Sequence, residues 1–206
     1  MDELFQRSLD LEVHVVNILQ QPLYDTSDRV RVSHVMCSVS LEHSASFKIL
    51  LRSQNFTSAI GLLRLQFESY VRGLWILYAA SEVELSKLTA ELTHDSAKRA
   101  NKMPMLSEMI NQLKQKAQKN AVDPVIEFKE QQWKPLSSYV HGGLHAIDRH
   151  SKGYPLPLIE QALKSSNGLV SLAAILGSIL TGKQYLIKES FKLHDTYLGC
   201  FMIKNH

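Results

Sequence analysis

The fold is decided by residues 56–81, which read FTSAIGLLRLQFESYVRGLWILYAAS. Apolar side chains recur there every three or four residues, and at about 100° per residue they fall into one arc of a helix. The same spacing runs through residues 28–52, directly before a short polar break. Two long helices with so short a connection predict an antiparallel hairpin. The arc consists of Ile60, Leu63, Phe67, Val71, Leu74, Trp75 and Tyr78.

The remaining residues extend this hairpin into an all-α domain. The chain has 206 residues but only 9 glycines and 6 prolines, which argues against a turn-rich β-sandwich or barrel. We expect one domain, an up-and-down bundle of four to five main helices with flanking terminal helices. Its parts are a helix in 1–21, the bundle with the candidate site in 27–150, and C-terminal helices in 158–200.

Capping residues and prolines predict where individual helices begin and end. Pro22 ends the first helix, and Asp25 to Asp28 offer a cap for the next one. Further helices are predicted at 106–118, from 123 through 133, at 158–163 and at 169–199, with an irregular loop at 152–157. Pro135 either kinks its helix or starts a new one at Leu136, since proline is tolerated mainly in a first turn.

Charge and cysteine usage limit the compartment and the partners. The formal net charge of +3 permits an anionic partner without requiring one. Cys37 and Cys200 match no metal or redox spacing, which indicates a reducing cytoplasm. The N-terminus shows no signal pattern. The most apolar run, residues 169–180, is shorter than the ~20 residues a bilayer needs, so we expect no membrane association.

Arg64 falls inside the apolar arc, with Glu68 at its edge and Arg72 beyond it. Glu68 is four residues from each arginine, so the three charges lie on one side of the helix. A guanidinium that faces a core is costly unless it is paired and hydrogen-bonded. Two interpretations remain open: a buried ion pair that fixes helix register, or a pair of charges that line a cleft.

His141 is the second chemical signal, at the end of a predicted helix in the string SSYVHGG. The negative end of the helix dipole favours a cation at this position, and the two glycines allow close approach. Histidine is the commonest proton-transfer residue, but a histidine before a glycine stop is also an ordinary helix end. His145 and His150 follow closely and leave a metal site as a third alternative, although the glycines interrupt the i, i+4 helix face between His141 and His145.

The two signals together carry a resemblance to a known group. LRLQFE and LWIL on the long helix, followed later by YVHGG, resemble bacterial HEPN-like proteins found near abortive-infection, antiviral defence and toxin–antitoxin loci. The resemblance spans about residues 27–150. It implies a helical bundle paired as a homodimer, an RNA substrate, and a protein partner encoded nearby, an antitoxin or a sensor. Active members are metal-independent endoribonucleases, so no metal and no cofactor is expected.

The sequence departs from the signature of that superfamily, which has an arginine followed by four to six residues and then the histidine. The positions before His141 hold Lys134, Pro135 and Leu136 instead. This departure favours the alternative of a catalytically inactive module for dimerisation or partner binding, with Arg64–Glu68 as a structural ion pair. The resemblance implies a site with an arginine and a histidine, and without the signature we assemble it from other residues of this sequence. We expect His141 as general acid/base, Arg64 as phosphate clamp, Glu68 as orienting group, Tyr139 as hydrogen-bond donor, and Lys134 and Arg72 as substrate contacts.

Overall fold

A computed structural model describes residues 1–100 and 102–202 of the chain. Across these residues all regular structure is helical, which confirms the all-α prediction. Five of the described helices have 18 or more residues. The helices are α1 (Asp2–Leu19), α2 (Asp28–Arg52), α3 (Phe56–Tyr78), α4 (Glu82–Thr89), α5 (His94–Ala100), α6 (Leu106–Lys116), α7 (Lys119–Val140), α8 (Leu144–Lys152), α9 (Leu156–Thr181), α10 (Gln184–Phe191) and α11 (Leu193–Thr196).

The predicted hairpin of α2 and α3 is confirmed, with both ends of α2 where the sequence places them. The side chain of Ser27 accepts a hydrogen bond from the backbone amide of Val30 and caps the helix. Across the pair, Ser33 donates to the carbonyl of Gly73 and Ser40 to that of Gln66. The partner number falls as the number along α2 rises, so the two helices run antiparallel.

Helix α3 ends at Tyr78 rather than at Ser81 because Ser81 caps the next helix. Its hydroxyl accepts from the amide of Glu84, whose carboxylate accepts in return from the amide of Ser81. This reciprocal capping box starts α4. The sequence prediction missed three short helices, α4, α5 and α8, because seven to nine residues carry too little periodicity to register.

Helix α7 corrects a second boundary. The sequence places a helix start at Asp123, whereas α7 begins at Lys119 and runs through both Pro124 and Pro135. Each proline removes one backbone hydrogen bond. Tertiary packing compensates, because Phe128 stacks on Phe67 of α3 at 4.5 Å between ring centroids and Trp133 meets the same ring edge-on.

Helix α9 is the central helix and packs against α1, α2, α3 and α10. The sequence prediction of two helices separated by the polar turn 164–168 is wrong, as is the loop through residue 157, because α9 is continuous from Leu156. By length and composition it is apolar enough to cross a bilayer, but 72% of its most apolar window is buried inside the fold. Such burial is what the core helix of a soluble bundle shows.

A chain of polar side chains crosses the core where α9 meets α1, α2 and α3. The ammonium of Lys48 lies 2.8 Å from Glu12 Oε2 and donates to Ser44 Oγ at 2.7 Å. Ser44 contacts the hydroxyl of Ser166 at 3.2 Å, and Ser166 donates to Gln66 Oε1 at 2.8 Å. Ser166, in the middle of α9, therefore lies inside the protein with its hydrogen bonds made.

Candidate functional site

The candidate site forms where the middle of α3 faces the C-terminal half of α7. Arg64 projects from α3 toward α7, and only 16% of its side chain is exposed. Its Nε donates to Glu68 Oε1 at 2.7 Å, one helical turn away. Its Nη1 lies 3.0 Å from His141 Nε2, and its Cζ lies 4.3 Å from the ring centroid of Trp133. The guanidinium is thus held by an acid, an imidazole and an aromatic face at once.

His141 reaches Arg64 because of how α7 ends. The amide of His141 bonds the carbonyl of Ser137, so the residue closes the last turn of the helix. Gly142 follows with φ of 65°, a left-handed conformation that favours glycine. The amide of Gly143 then donates to the carbonyl of Ser138 at 2.7 Å, which is the long-range bond of a Schellman motif. The glycine pair turns the chain away and leaves His141 exposed at the helix end.

The contact between Arg64 and His141 fixes the hydrogen on the imidazole. A guanidinium has only donors, so His141 Nε2 must accept. In the tautomer that accepts at Nε2, the ring N–H is on Nδ1. The site therefore presents a lone pair aimed at a cation that is itself oriented by Glu68. An oxyanion that enters between the two would take the donor of Arg64 and leave Nε2 free to accept a proton.

Trp133 is the member of the site that the sequence prediction missed. It lies two turns before His141 on α7, with Ser137 between them, so all three fall on neighbouring parts of one helix face. Two features of the sequence could have suggested this contact. One is the arginine in the apolar arc of one helix, and the other is the tryptophan that precedes the histidine on another helix. Only the crossing of α3 and α7 shows that the two side chains stack.

The structure does not bring Tyr139 into this cluster. Two residues of helix separate it from His141, which is about 200° around the axis. Its ring is buried beside that of His145, at 6.3 Å between centroids, and lines a different cavity of about 340 Å³ together with Arg149. Burial raises the pKa of the Tyr139 phenol.

Lys134 and Arg72, the predicted substrate contacts, lie around the cluster rather than in it. Lys134 is exposed seven residues before His141, on nearly the same face of α7 and about 10 Å along its axis. Arg72 is half-buried two turns beyond Arg64 on α3. Neither has a hydrogen bond or ion pair among the described residues, so Glu68 pairs with Arg64 alone.

The three histidines of the metal alternative diverge. His145 stacks on Tyr139, whereas His150 Nδ1 lies 3.2 Å from the hydroxyl of Thr57 on α3. Over residues 1–100 and 102–202, no group of three or more histidine, cysteine, aspartate or glutamate side chains is arranged to hold a metal ion. The structure does not bring together a metal site from these residues.

Comparison with known proteins identifies a family for most of the chain. Residues 37–203 match a family of unknown function, DUF6988. The chain belongs to this family. The match begins within α2 and includes every residue of the Arg64 cluster, so the candidate site lies in the part of the chain that defines DUF6988. No curated protein and no solved structure matches the chain significantly.

Proposed function

We propose that this DUF6988 protein is a metal-independent endoribonuclease of HEPN-like type, acting in the cytoplasm as the effector of a bacterial defence or toxin–antitoxin system. The observation that carries the proposal is the contact between Arg64 and His141, 3.0 Å apart at an accessible helix end. It pairs an anion-binding cation with a proton acceptor, which is the minimum set for cleavage of RNA by its own 2′-hydroxyl.

The reaction assigned to the site balances without a metal. His141 Nε2 accepts the proton of the ribose 2′-hydroxyl while that oxygen attacks the adjacent phosphorus. The bond from phosphorus to the 5′-oxygen breaks, and the leaving oxygen takes a proton from the imidazolium or from water. Arg64 neutralises the charge that develops on the phosphoryl oxygens. The products are a 2′,3′-cyclic phosphate and a 5′-hydroxyl.

Glu68 and Trp133 act in this scheme through Arg64. The carboxylate binds Nε, and the indole supports one face of the guanidinium, so the Nη groups stay directed at the incoming phosphate. Nη2 has no hydrogen-bond partner among the described residues and is the donor available to RNA. Lys134, about 10 Å along α7 from His141, and Arg72, about 12 Å along α3 from Arg64, are the contacts we assign to flanking phosphates.

A homodimer is part of the proposal, because exposed apolar side chains border His141. Val140, Leu144 and Ile147 form this face at the end of α7 and on α8, and all three are exposed. A second copy that packs on it would bury the face with twofold symmetry and bring two copies of His141 near each other. Sedimentation of the double variant Leu144→Ser/Ile147→Ser tests it: the wild type sediments as a dimer and the variant as a monomer.

The test of activity is RNA cleavage by wild type and His141→Ala, both in excess EDTA. We expect cleavage by the wild type with cyclic-phosphate ends, and a loss of about 10²–10⁴-fold in His141→Ala, the range typical of a general acid/base. His145→Ala is the matched control, since it removes a nearby exposed histidine that does not contact Arg64. Equal cleavage by His141→Ala and wild type would refute the assignment.

A second candidate function, an inactive helical module that binds a partner protein, is favoured by one observation. The guanidinium of Arg64 already has Glu68, His141 and Trp133 around it, so it also ties α3 to the end of α7 without any ligand. Under this alternative Arg64 is structural. Intact RNA with the wild type, together with a large loss of stability in Arg64→Met, would support it.

A further inference from the structure

A second cavity, of about 480 Å³, lies between α7, α9 and the segment after α10, and it shares no residue with the Arg64 cluster. Its volume is in the range of small-molecule sites, 300–1,000 Å³. Its walls are mostly apolar, and two rings of the C-terminal segment, His194 and Phe201, stack at 3.9 Å between centroids to form one side. The other apolar walls are Phe128, Leu169, Leu172 and Ile175.

The cavity exists because α9 lacks a side chain where one would fit. Gly168 lies in the middle of this 26-residue helix, where glycine weakens a helix relative to alanine. A Cβ built on Gly168 would meet no atom within 4 Å, so close packing does not explain the glycine. A larger residue at position 168 would instead extend into the cavity.

Ser171, one turn further along α9, also lines the cavity and points to a ligand independently. The residue is only 1% exposed, and its hydroxyl has no hydrogen-bond partner in the described part of the chain. A buried polar atom without a partner is costly, and native proteins rarely keep one. A bound molecule with a hydrogen-bonding group would satisfy it.

Lys164 supplies the charge of the site. It lines the cavity seven residues before Ser171, on the same face of α9 and about 10 Å along the axis, and it has no hydrogen bond or ion pair within the described residues. Among the described residues, the lining has one carboxylate, that of Glu127, which is exposed and already accepts from Gln131 at 3.3 Å. The unpaired, half-buried charge of the cavity is therefore the positive charge of Lys164.

From these features we infer that the cavity binds an amphipathic monoanion, a small carboxylate or sulfonate with an aromatic or short alkyl body. The apolar body lies over Gly168 against the phenylalanine walls. The anionic group pairs with Lys164, and a polar atom of the body bonds Ser171. This site is independent of the proposed nuclease chemistry.

The first experiment compares two fluorescent probes that share one ring system and differ only by an anionic sulfonate group, 8-anilinonaphthalene-1-sulfonate and neutral N-phenyl-1-naphthylamine. We expect one saturable site in the wild type that binds the anion about tenfold tighter than the neutral probe. Gly168→Leu fills the cavity and should lose the site while its melting temperature rises, whereas Gly168→Ala gains helix stability but keeps binding. Ser171→Leu, which replaces the hydroxyl with a larger apolar group, is a second filling variant that should behave like Gly168→Leu if that variant does not fold.

The second experiment tests the charge assignment with a matched pair of neutral replacements. Lys164→Gln should weaken the anionic probe about tenfold and leave the neutral probe unchanged, while Glu127→Gln should leave both unchanged or strengthen the anion. The inference is overturned if the wild type shows no saturable site, if both filled variants still bind, or if Glu127→Gln rather than Lys164→Gln weakens the anion. We expect RNA cleavage by these variants to equal that of the wild type, so the result of the binding experiments does not bear on the proposed nuclease.

Discussion

Two ion pairs of this protein use similar groups in opposite ways. Lys48 and Glu12 meet in the core, where their side chains are 2% and 12% exposed, whereas Arg64 and Glu68 are 16% and 32% exposed. Burial lowers the pKa of Lys48, although the carboxylate of Glu12 opposes part of that shift. The enclosed pair joins α1 to α2 through the interior. The open pair holds its arginine beside an exposed histidine.

The difference teaches what solvent access does to a pair of charges. In the described part of the chain, Glu12 and Ser44 are the groups that offset the desolvation of the Lys48 ammonium, so each of the three depends on the others. Water can still reach Glu68 and His141, so the Arg64 cluster can lose a partner or accept an anion at small cost. A structural pair and a pair suited to binding are therefore separable by stability measurements.

The largest effect is expected for Lys48→Met. It leaves the Glu12 carboxylate buried without its cation, which should cost about 3–5 kcal/mol of unfolding free energy. Urea unfolding followed by circular dichroism measures it. The double variant Lys48→Met/Glu12→Leu removes both charges and should recover most of the loss. A loss below about 1 kcal/mol in the single variant would mean that the pair is hydrated in solution.

Arg64→Met should cost less, about 1–2 kcal/mol, because Glu68 and His141 regain water while the methionine keeps part of the packing on Trp133. The same urea titration measures this loss. Arg64→Lys is the matched control that keeps the charge but not the planar fork. A loss as large as that of Lys48→Met would make Arg64 structural and favour the inactive binding module.

Gly142→Ala tests how the site acquires its histidine. A Cβ at Gly142 meets no atom within 4 Å, so the only cost is the positive φ of 65°, about 1 kcal/mol. Thermal unfolding measures the cost, and RNA cleavage shows whether His141 stays in place. Gly199→Ala, which also has a positive φ and open space, is the control away from the site. Unchanged stability in Gly142→Ala would contradict the left-handed turn.

The smallest effect is the coupling between Arg64 and Glu68. A double-mutant cycle with Arg64→Met and Glu68→Gln should give about 0.3–1 kcal/mol, because the pair is an i, i+4 contact in partial contact with water. In 1 M NaCl the coupling should shrink, since salt screens accessible charges. The corresponding cycle on Lys48 and Glu12 should be insensitive to salt. Equal salt dependence of the two cycles would erase the distinction between them.

Part of the Arg64 cluster could be predicted from the sequence. The place of Arg64 in the apolar arc indicated that it does not face bulk solvent, and the string SSYVHGG indicated a histidine at a helix end. The contact between Arg64 and His141 was a hypothesis, because it depends on how α3 packs against α7. Trp133 and the exclusion of Tyr139 depend on the rotation of α7, which two internal prolines make hard to anticipate.

Lys48 shows the opposite limit. Nothing in the string FKILL marks that lysine as enclosed, because its partner Glu12 is 36 residues earlier on another helix. The predicted break at residues 164–168 of α9 was wrong for the same reason. Ser166 and Asn167 favour a break in isolation. Inside the core, however, Ser166 donates to Gln66, and the Asn167 side-chain nitrogen donates to Ser8 and to the carbonyl of Cys200.

Local chemistry alone therefore determined the all-α class, the α2–α3 hairpin and the limits of α2, because periodicity and capping act over a few residues. The tertiary structure decided which polar groups are enclosed, which helices continue through proline or serine, and which charges meet. Those outcomes depend on contacts between residues far apart in the chain. Their free energies exceed the local preferences of a proline or a polar turn, and no short stretch of sequence records them.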